Sequence, residues 1–305
     1  MLKLQQLRQF VIAATSGSFK QAATSTFRTP AAVSIAMRDL EKTVGGALLE
    51  RNRKGKFTPL AEALLPLFKE LLTVHDLVLS QAQQLAQGEQ GSLTVAVAPF
   101  LAESWLPDQI ARFVEMYPGV RVRTVEERSS RICGLVANGT VTIGVAGLLG
   151  NDGKVEIRPV AVDYYGVLCG LQHPFAARRT IPWGLLRNEK VIGSDAFEVL
   201  AASGLAPRLP TPMLHITSRA PLLACVRKNL GITILPMLTR LGPADGFSFV
   251  PLARPRLSRT VAIVTRSNES LLPASRRLAE MLAGSLRSFA LARGARVKSS
   301  AVQTS

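Results

Sequence analysis

Side chains able to do covalent, acid–base or metal chemistry are few in this 305-residue chain, and they stand apart. His75, His173 and His215 are isolated in the sequence, so no zinc spacing exists and a hydrolase triad has little to draw on. Cys133, Cys169 and Cys225 are odd in number, scattered and set in apolar surroundings, as reduced core residues are. The glycines of GVAGLLG (Gly144 to Gly150) follow a strand-like run, but their G-x-x-G-x-x-G spacing is not the dinucleotide fingerprint. Neither a G-x-S-x-G nucleophile elbow nor a G-x-x-x-x-G-K-[ST] phosphate loop occurs. We therefore expect no catalytic residue, no metal and no cofactor. The chemistry that remains is electrostatic. Net charge is +16, and the first sixty residues carry ten basic side chains: Lys3, Arg8, Lys20, Arg28, Arg38, Lys42, Arg51, Arg53, Lys54 and Lys56. Only Asp39, Glu41 and Glu50 oppose them. Neutralisation of phosphates by such groups supplies most of the sequence-independent affinity of proteins for DNA.

Those charges need elements to aim them, and Ser18–Glu41 (SFKQAATSTFRTPAAVSIAMRDLE) reads as two short helices with a tight break. Ser18 caps the first, whose apolar side is Phe19, Ala22 and Ala23, and Ser25 to Arg28 is the polar turn. Thr29 caps the second, and Pro30 suits its first position, where a missing N–H is no loss. Val33, Met37 and Leu40 then form one buried stripe. Ala31, Ser34, Ile35 and Arg38 point the other way, a small and weakly polar surface able to lie close to a groove floor. Leu4, Leu7, Phe10, Val11 and Ala14 make a preceding helix, ended by Gly17. After Val44-Gly45-Gly46 and Ala47 to Glu50, the stretch RNRKGKFTP reads as a basic hairpin. Gly55 is its tip, Phe57 returns to the core, and Arg51, Arg53, Lys54 and Lys56 lie against phosphates or reach into the minor groove.

Thr58-Pro59 opens a long helix to about Gln87, with Leu64, Leu67, Leu71, Val74, Val78 and Leu85 at heptad positions suited to pairing with a second copy. Pro66 predicts a bend or a late start. Gly88 to Gly91 reads as a hinge. Beyond it strands and helices alternate: strand Leu93–Pro99, helix Ser104–Tyr117 with Leu106, Ile110, Phe113 and Val114 inward, strand Val120–Val125, helix Arg131–Ala137 and strand Val141–Ala146. Further strands are expected at Tyr165–Gly170, Val191–Gly193, Gly231–Leu235 and Thr260–Thr265. Further helices are expected at Ile181–Arg187, Ala220–Lys228 and Ala274–Ala292. That alternation predicts an α/β domain with a parallel sheet, which binds small molecules where strand ends meet helix N-termini.

The motifs QLRQFVIAATSGSFKQAA, TPAAVSIAMRDLEKTVGGALLERNRKGKFTPLAEALL, WLPDQIARFVEMYPGVRV, NGTVTIGVAG, His173-Pro174 and LGITILP carry a resemblance in order and spacing over about residues 1–290. The chain resembles the LysR-type transcriptional regulators. The resemblance implies an α/β protein with an N-terminal winged helix-turn-helix over 1–60 and a linker, dimerising helix with hinge over 61–90. It further implies a two-subdomain effector domain over 91–295, similar to type 2 periplasmic binding proteins, with 296–305 a basic tail. The implied partners are double-stranded promoter DNA, a small-molecule effector, a second copy in a homodimer or homotetramer, and RNA polymerase.

The implied DNA-contacting positions are Ser18, Lys20, Arg28, Thr29, Pro30, Ala31, Ser34, Ile35, Arg38, Arg51, Arg53, Lys54 and Lys56. Ile35 stands where the family often has arginine, so contact with thymine methyl groups by Ile35 or Ala31 replaces arginine readout. The implied effector-lining positions are Pro99, Phe100, Leu101, Arg128, Ser129, Gly147, Ser194, Ser218 and Arg219. Pro99-Phe100-Leu101 is apolar, which suggests an aromatic or partly apolar ligand whose carboxylate Arg128 or Arg219 is available to hold. A solute-binding protein working without DNA is the competing reading. The basic N-terminal module and an N-terminus without a leader-like pattern oppose it, and they favour a cytoplasmic protein. Apolar runs such as LLPLF and LLACV are too short to span a membrane.

Overall fold

The computed structural model describes residues 1–50, 56–148, 155–204, 209–267 and 270–297. The chain divides into two compact units, Met1–Gln84 and Leu85–Ser305. The first unit is helical: α1 (Leu4–Ser16), α2 (Phe19–Ser25), α3 (Pro30–Val44) and α4 (Pro59–Gln87). Gly17 and Gly45 terminate α1 and α3 in the left-handed conformation, at φ 64° and 77°, which glycine adopts without cost. The Ser18 hydroxyl accepts from the Gln21 N–H and the Thr29 hydroxyl from the Ala32 N–H, each at 3.2 Å. Leu7, Phe10, Val33, Met37 and Leu40 are almost wholly buried, so three short helices share one core.

The Glu41 carboxylate accepts from the Leu48 and Leu49 N–H groups at 2.8 and 3.2 Å, fixing the chain that leaves α3. Leu49 and Phe57 then pair as an antiparallel bridge, and the Glu50 N–H donates to the Lys56 carbonyl at 3.0 Å. These are the legs of the expected basic hairpin. Its tip, with Arg51, Arg53 and Lys54, lies outside the described residues. Phe57 does return to the core, edge-on to Phe10 at 5.6 Å.

Helix α4 starts at Pro59 and runs through Pro66 without the late start the sequence suggested. Pro66 is on the exposed side, where the single ladder bond it cannot make is lost facing solvent. Ala61, Phe68 and Leu72 bury against the unit's core. Of the heptad residues, Leu64 joins that core, whereas Leu67, Leu71, Val74, Val78 and Leu85 are exposed.

The second unit opens with β1 (Gly91–Val97), α5 (Pro99–Ser104), α6 (Leu106–Met116), β2 (Val120–Glu126), α7 (Ser129–Ala137) and β3 (Ile143–Leu148). A sixteen-residue strand, β4 (Val155–Gly170), follows. Then come β5 (Ile192–Gly193), α8 (Asp195–Ala202), β6 (Leu214–His215), α9 (Arg219–Arg227), β7 (Thr233–Pro236), β8 (Phe247–Pro251), β9 (Ser258–Arg266), α10 (Pro273–Ala292) and β10 (Arg296–Val297). Short 3₁₀ turns fill the connections, among them Trp183–Asn188 where an α-helix was expected and Met237–Thr239 after β7. The expected helix Ser104–Tyr117 is α6, starting two residues later, and a short helix α5 that was not expected precedes it across Trp105, because Pro99 and Pro107 each start a helix. Val114, expected inward, is 40% exposed.

The sheet is mixed, not parallel. β1 pairs parallel with β2 and β3, but β9 runs antiparallel to both β3 and β4. β4 is the reason. Its first part, through Tyr164, pairs with β9; from Tyr165 onward it pairs with β7 and β8. One strand thus serves two lobes, and the chain crosses back between β8 and β9. Each lobe has its own apolar core, one built on Val95, Phe113, Ile143 and Leu282, the other on Val167, Ile181, Leu186 and Ile234. No described helix is long and apolar enough to cross a membrane.

Candidate functional site

The crossover leaves a cleft between the lobes of about 960 Å³, counting space open to solvent. The first lobe contributes Pro99 and Phe100 at the start of α5, Arg128, Ser129 and Ser130 at the start of α7, and Gly147 near the end of β3. The second contributes Ser194 and Asp195 at the start of α8, Thr217 and Arg219 before and within α9, and Leu222, Leu235 and Thr239. Tyr165 and Arg259 come from the crossing strands. Helix starts and strand ends converge because the β1–α5 and β2–α7 connections of the first lobe both open toward the crossover.

Ion pairs dominate the cleft. Arg128 Nε meets Asp195 Oδ2 at 2.9 Å, with Glu198 at 3.9 Å from the same guanidinium. Arg219 Nε meets Glu103 Oε2 at 2.7 Å, and its guanidinium lies 5.0 Å over the Phe100 ring. Arg259 reaches Asp163 Oδ2 at 3.1 Å, while Asp163 Oδ1 accepts from the Leu238 N–H at 3.0 Å. Asp163 is fully buried, and desolvation pushes its carboxyl above the usual range against the pull of Arg259. Burial raises Asp195 too, opposed by Arg128, and lowers Arg219. Burial likewise pushes the Tyr165 hydroxyl up. A Cβ on Gly147 would stand 2.6 Å from the Arg259 guanidinium, so that side chain would have to shift away from Asp163 to admit one.

Of the expected effector positions, Pro99, Phe100, Arg128, Ser129, Gly147, Ser194 and Arg219 line this cleft. Leu101 does not, being 3% exposed within the first lobe's core. Ser218 sits at the N-cap of α9 outside the lining, one residue from each of Thr217 and Arg219, which do line it. Arg128 and Arg219, expected to be available for a ligand carboxylate, each already hold a protein carboxylate through Nε. The serines are engaged as well. Ser129 accepts from the Gly147 N–H at 3.1 Å, and Ser194 caps α8 through the Phe197 N–H. Sequence reading missed Glu103, Asp163, Tyr165 and Arg259. Asp163 had a signal, as the single charge within the apolar run Val160–Cys169; a lone acid there must be paired.

In the first unit, Lys20, Arg28, Thr29, Pro30, Ala31, Ser34, Ile35, Arg38 and Lys56 are exposed, with Ser18 partly so. Ser34 donates back to the Pro30 carbonyl at 3.0 Å, so its hydroxyl is satisfied along the helix. Ile35 is 59% exposed, an apolar side chain held out at mid-helix. Lys20, Arg28, Arg38 and Lys56 have no acidic partner among the described residues.

Comparison with known proteins accounts for both units. Residues 4–63 match the model "Bacterial regulatory helix-turn-helix protein, lysR family", and residues 86–287 match the "LysR substrate binding domain". The chain belongs to the LysR family. This LysR regulator is 27% identical over 288 residues to the Escherichia coli regulator YbhD, covering 92% of this chain and 90% of that one. It is 23% identical to a probable nitrogen assimilation transcriptional activator of Synechococcus elongatus, over 92% and 94% of the two chains. Its fold matches the oxidised form of Corynebacterium glutamicum OxyR with a TM-score of 0.73 at 24% identity, over 96% and 95% of the two chains. It also matches full-length CbnR complexed with target DNA, with a TM-score of 0.66 at 20% identity, over 93% and 99%. The LysR family consists of transcriptional regulators rather than enzymes. The protein is therefore a DNA-binding transcriptional regulator with an effector-binding domain.

Proposed function

We propose that the effector of this regulator sits in the cleft between the two lobes, and that α3 reads promoter DNA through Ala31, Ser34, Ile35 and Arg38. The observation that carries the first part is the cleft itself: helix starts from both lobes converge on it, and a ligand there touches both. A ligand with different affinities for two lobe packings shifts the balance between them. The segment Gly88–Gly91 is the hinge through which that shift reaches the DNA-binding unit. An apolar body on the effector suits Pro99, Leu222 and Leu235.

The domain limits we propose are 1–60, 61–90, 91–295 and 296–305. Ser18, Lys20, Arg28, Thr29, Pro30 and Lys56, with Arg51, Arg53 and Lys54 of the hairpin, contact the DNA, and the cations among them neutralise phosphates. The exposed row Leu67, Leu71, Val74, Val78 and Leu85 on α4 pairs with a second copy, giving a dimer or tetramer whose two-fold axis suits palindromic half-sites. RNA polymerase and a cytoplasmic setting complete the reading.

The test is promoter binding by full-length protein at several salt concentrations. Log affinity is expected to fall linearly with log salt, and a flat plot defeats phosphate-driven binding. Ser34→Arg is expected to change which sequences bind best, while Lys54→Ala weakens promoter and random DNA alike. If both variants act equally on the two DNAs, the division of roles is wrong.

A further inference from the structure

The charges of the cleft say what kind of head group its ligand carries. Each guanidinium lining it is spoken for: Arg128 by Asp195 at 2.9 Å, Arg219 by Glu103 at 2.7 Å, Arg259 by Asp163 at 3.1 Å. The first two pairs cross between the lobes in opposite senses, Arg128 and Glu103 coming from the first lobe and Asp195 and Arg219 from the second. The acids are not all used up in return. Asp195 Oδ1 is buried with no hydrogen-bond partner, although the residue lines the cleft. Glu198, which also lines it, is shared between Arg128 at 3.9 Å and His215 at 3.3 Å.

An entering carboxylate would bring a second acid to an arginine that already holds one through Nε, leaving two acids around one base. Like charges at that separation repel strongly in a partly desolvated site. A cation meets the opposite situation. It finds the half-exposed Glu198 carboxylate beside an Asp195 oxygen that is enclosed without a partner; a turn of the Asp195 carboxyl toward the cation gains a charge-assisted hydrogen bond for that acid. Apolar contact for the rest of the molecule comes from Pro99, Leu222 and Leu235, since Arg219 and Arg293 lie over the Phe100 ring at 5.0 and 5.3 Å.

We infer that the effector of this cleft presents an ammonium group on an apolar body, that Asp195 is its specificity-determining acceptor with Glu198 in support, and that simple carboxylates are excluded. This rests on the reading of the cleft as the effector site, and the test separates the two. The probes are 2-phenylethylamine and 3-phenylpropanoate, similar apolar bodies with opposite head groups, added to full-length protein while its melting temperature is followed. The amine is expected to raise the midpoint and the carboxylate to leave it unmoved, because a bound ligand stabilises the folded state by mass action.

Asp195→Asn is expected to weaken the amine at least about tenfold, the loss of one charge-assisted bond; if that variant does not fold, the comparison of probes on the unaltered protein decides. Ala196→Trp fills the cleft and is expected to abolish the amine's effect. A midpoint raised by the carboxylate and not by the amine, or by neither probe, overturns the head-group assignment. An amine effect that survives Ala196→Trp puts the ligand elsewhere and overturns the cleft reading itself.

Discussion

The two units use positive charge in opposite ways. In the helix-turn-helix, Lys20, Arg28, Arg38 and Lys56 stand in solvent without acidic partners among the described residues. In the cleft, Arg128, Arg219 and Arg259 each hold a carboxylate. Free surface charge costs little and acts over roughly 8–10 Å in salt, as attraction to a polyanion requires. Charge within a cleft is desolvated and must be paired on the spot, so it fixes geometry and selects the ligand instead of attracting one from afar. The same residue type is thus a long-range lure in one unit and a local brace in the other.

Neutralising single charges probes that contrast. The largest effect is expected for Asp163→Ala, which strands Arg259 at the crossover of the two lobes: about 3–5 kcal/mol of unfolding free energy, the cost of breaking a buried pair from one side. A denaturant midpoint within experimental error of the unaltered protein would mean that the pair braces nothing.

Cys169 comes next, a buried thiol that donates to the Ser248 carbonyl and has the negative charge of Glu189 in its neighbourhood. Burial pushes its thiol up to about 11 from 9.0. The unfolded chain then loses its thiol proton first as pH rises. Stability is full below about pH 9 and falls until about pH 11, by up to about 2–3 kcal/mol. Urea titrations of Cys169→Ala should lack that component, and an unchanged pH profile in the variant would refute it.

Arg128→Ala should cost less, about 0.2–1 kcal/mol, since its side chain is 43% exposed and solvent screens the pair. Lys56→Ala should leave stability within about 0.5 kcal/mol while reducing the salt slope of DNA binding by about 1. A Lys56→Ala change that destabilised the fold would erase the distinction between the units.

The first unit was legible residue by residue. Its helices are set by nearest neighbours: Ser18 and Thr29 as caps, Gly17 and Gly45 as stops, and Val33, Met37 and Leu40 at helical spacing. Such signals act within one or two turns, so a linear reading recovers them. In the second unit the elements were found but not their directions. The expected strand Tyr165–Gly170 is only the latter part of β4, whose earlier residues Glu156, Arg158, Pro159 and Asp163 break the apolar pattern. Strand β8 was not expected at all, being short and flanked by loops, and of α8 only the start at Ser194-Asp195 was marked.

By itself the sequence determined the DNA-binding module, the family and the places where strands end and helices begin, because each depends on residues close together in the chain. Tertiary structure alone decided which charges met across the cleft. Arg128 pairs with Asp195, Arg219 with Glu103 and Arg259 with Asp163, partners brought together only when one strand is shared by two lobes. No local rule encodes such pairings, since the energy that selects them exists only once the intervening water has been displaced.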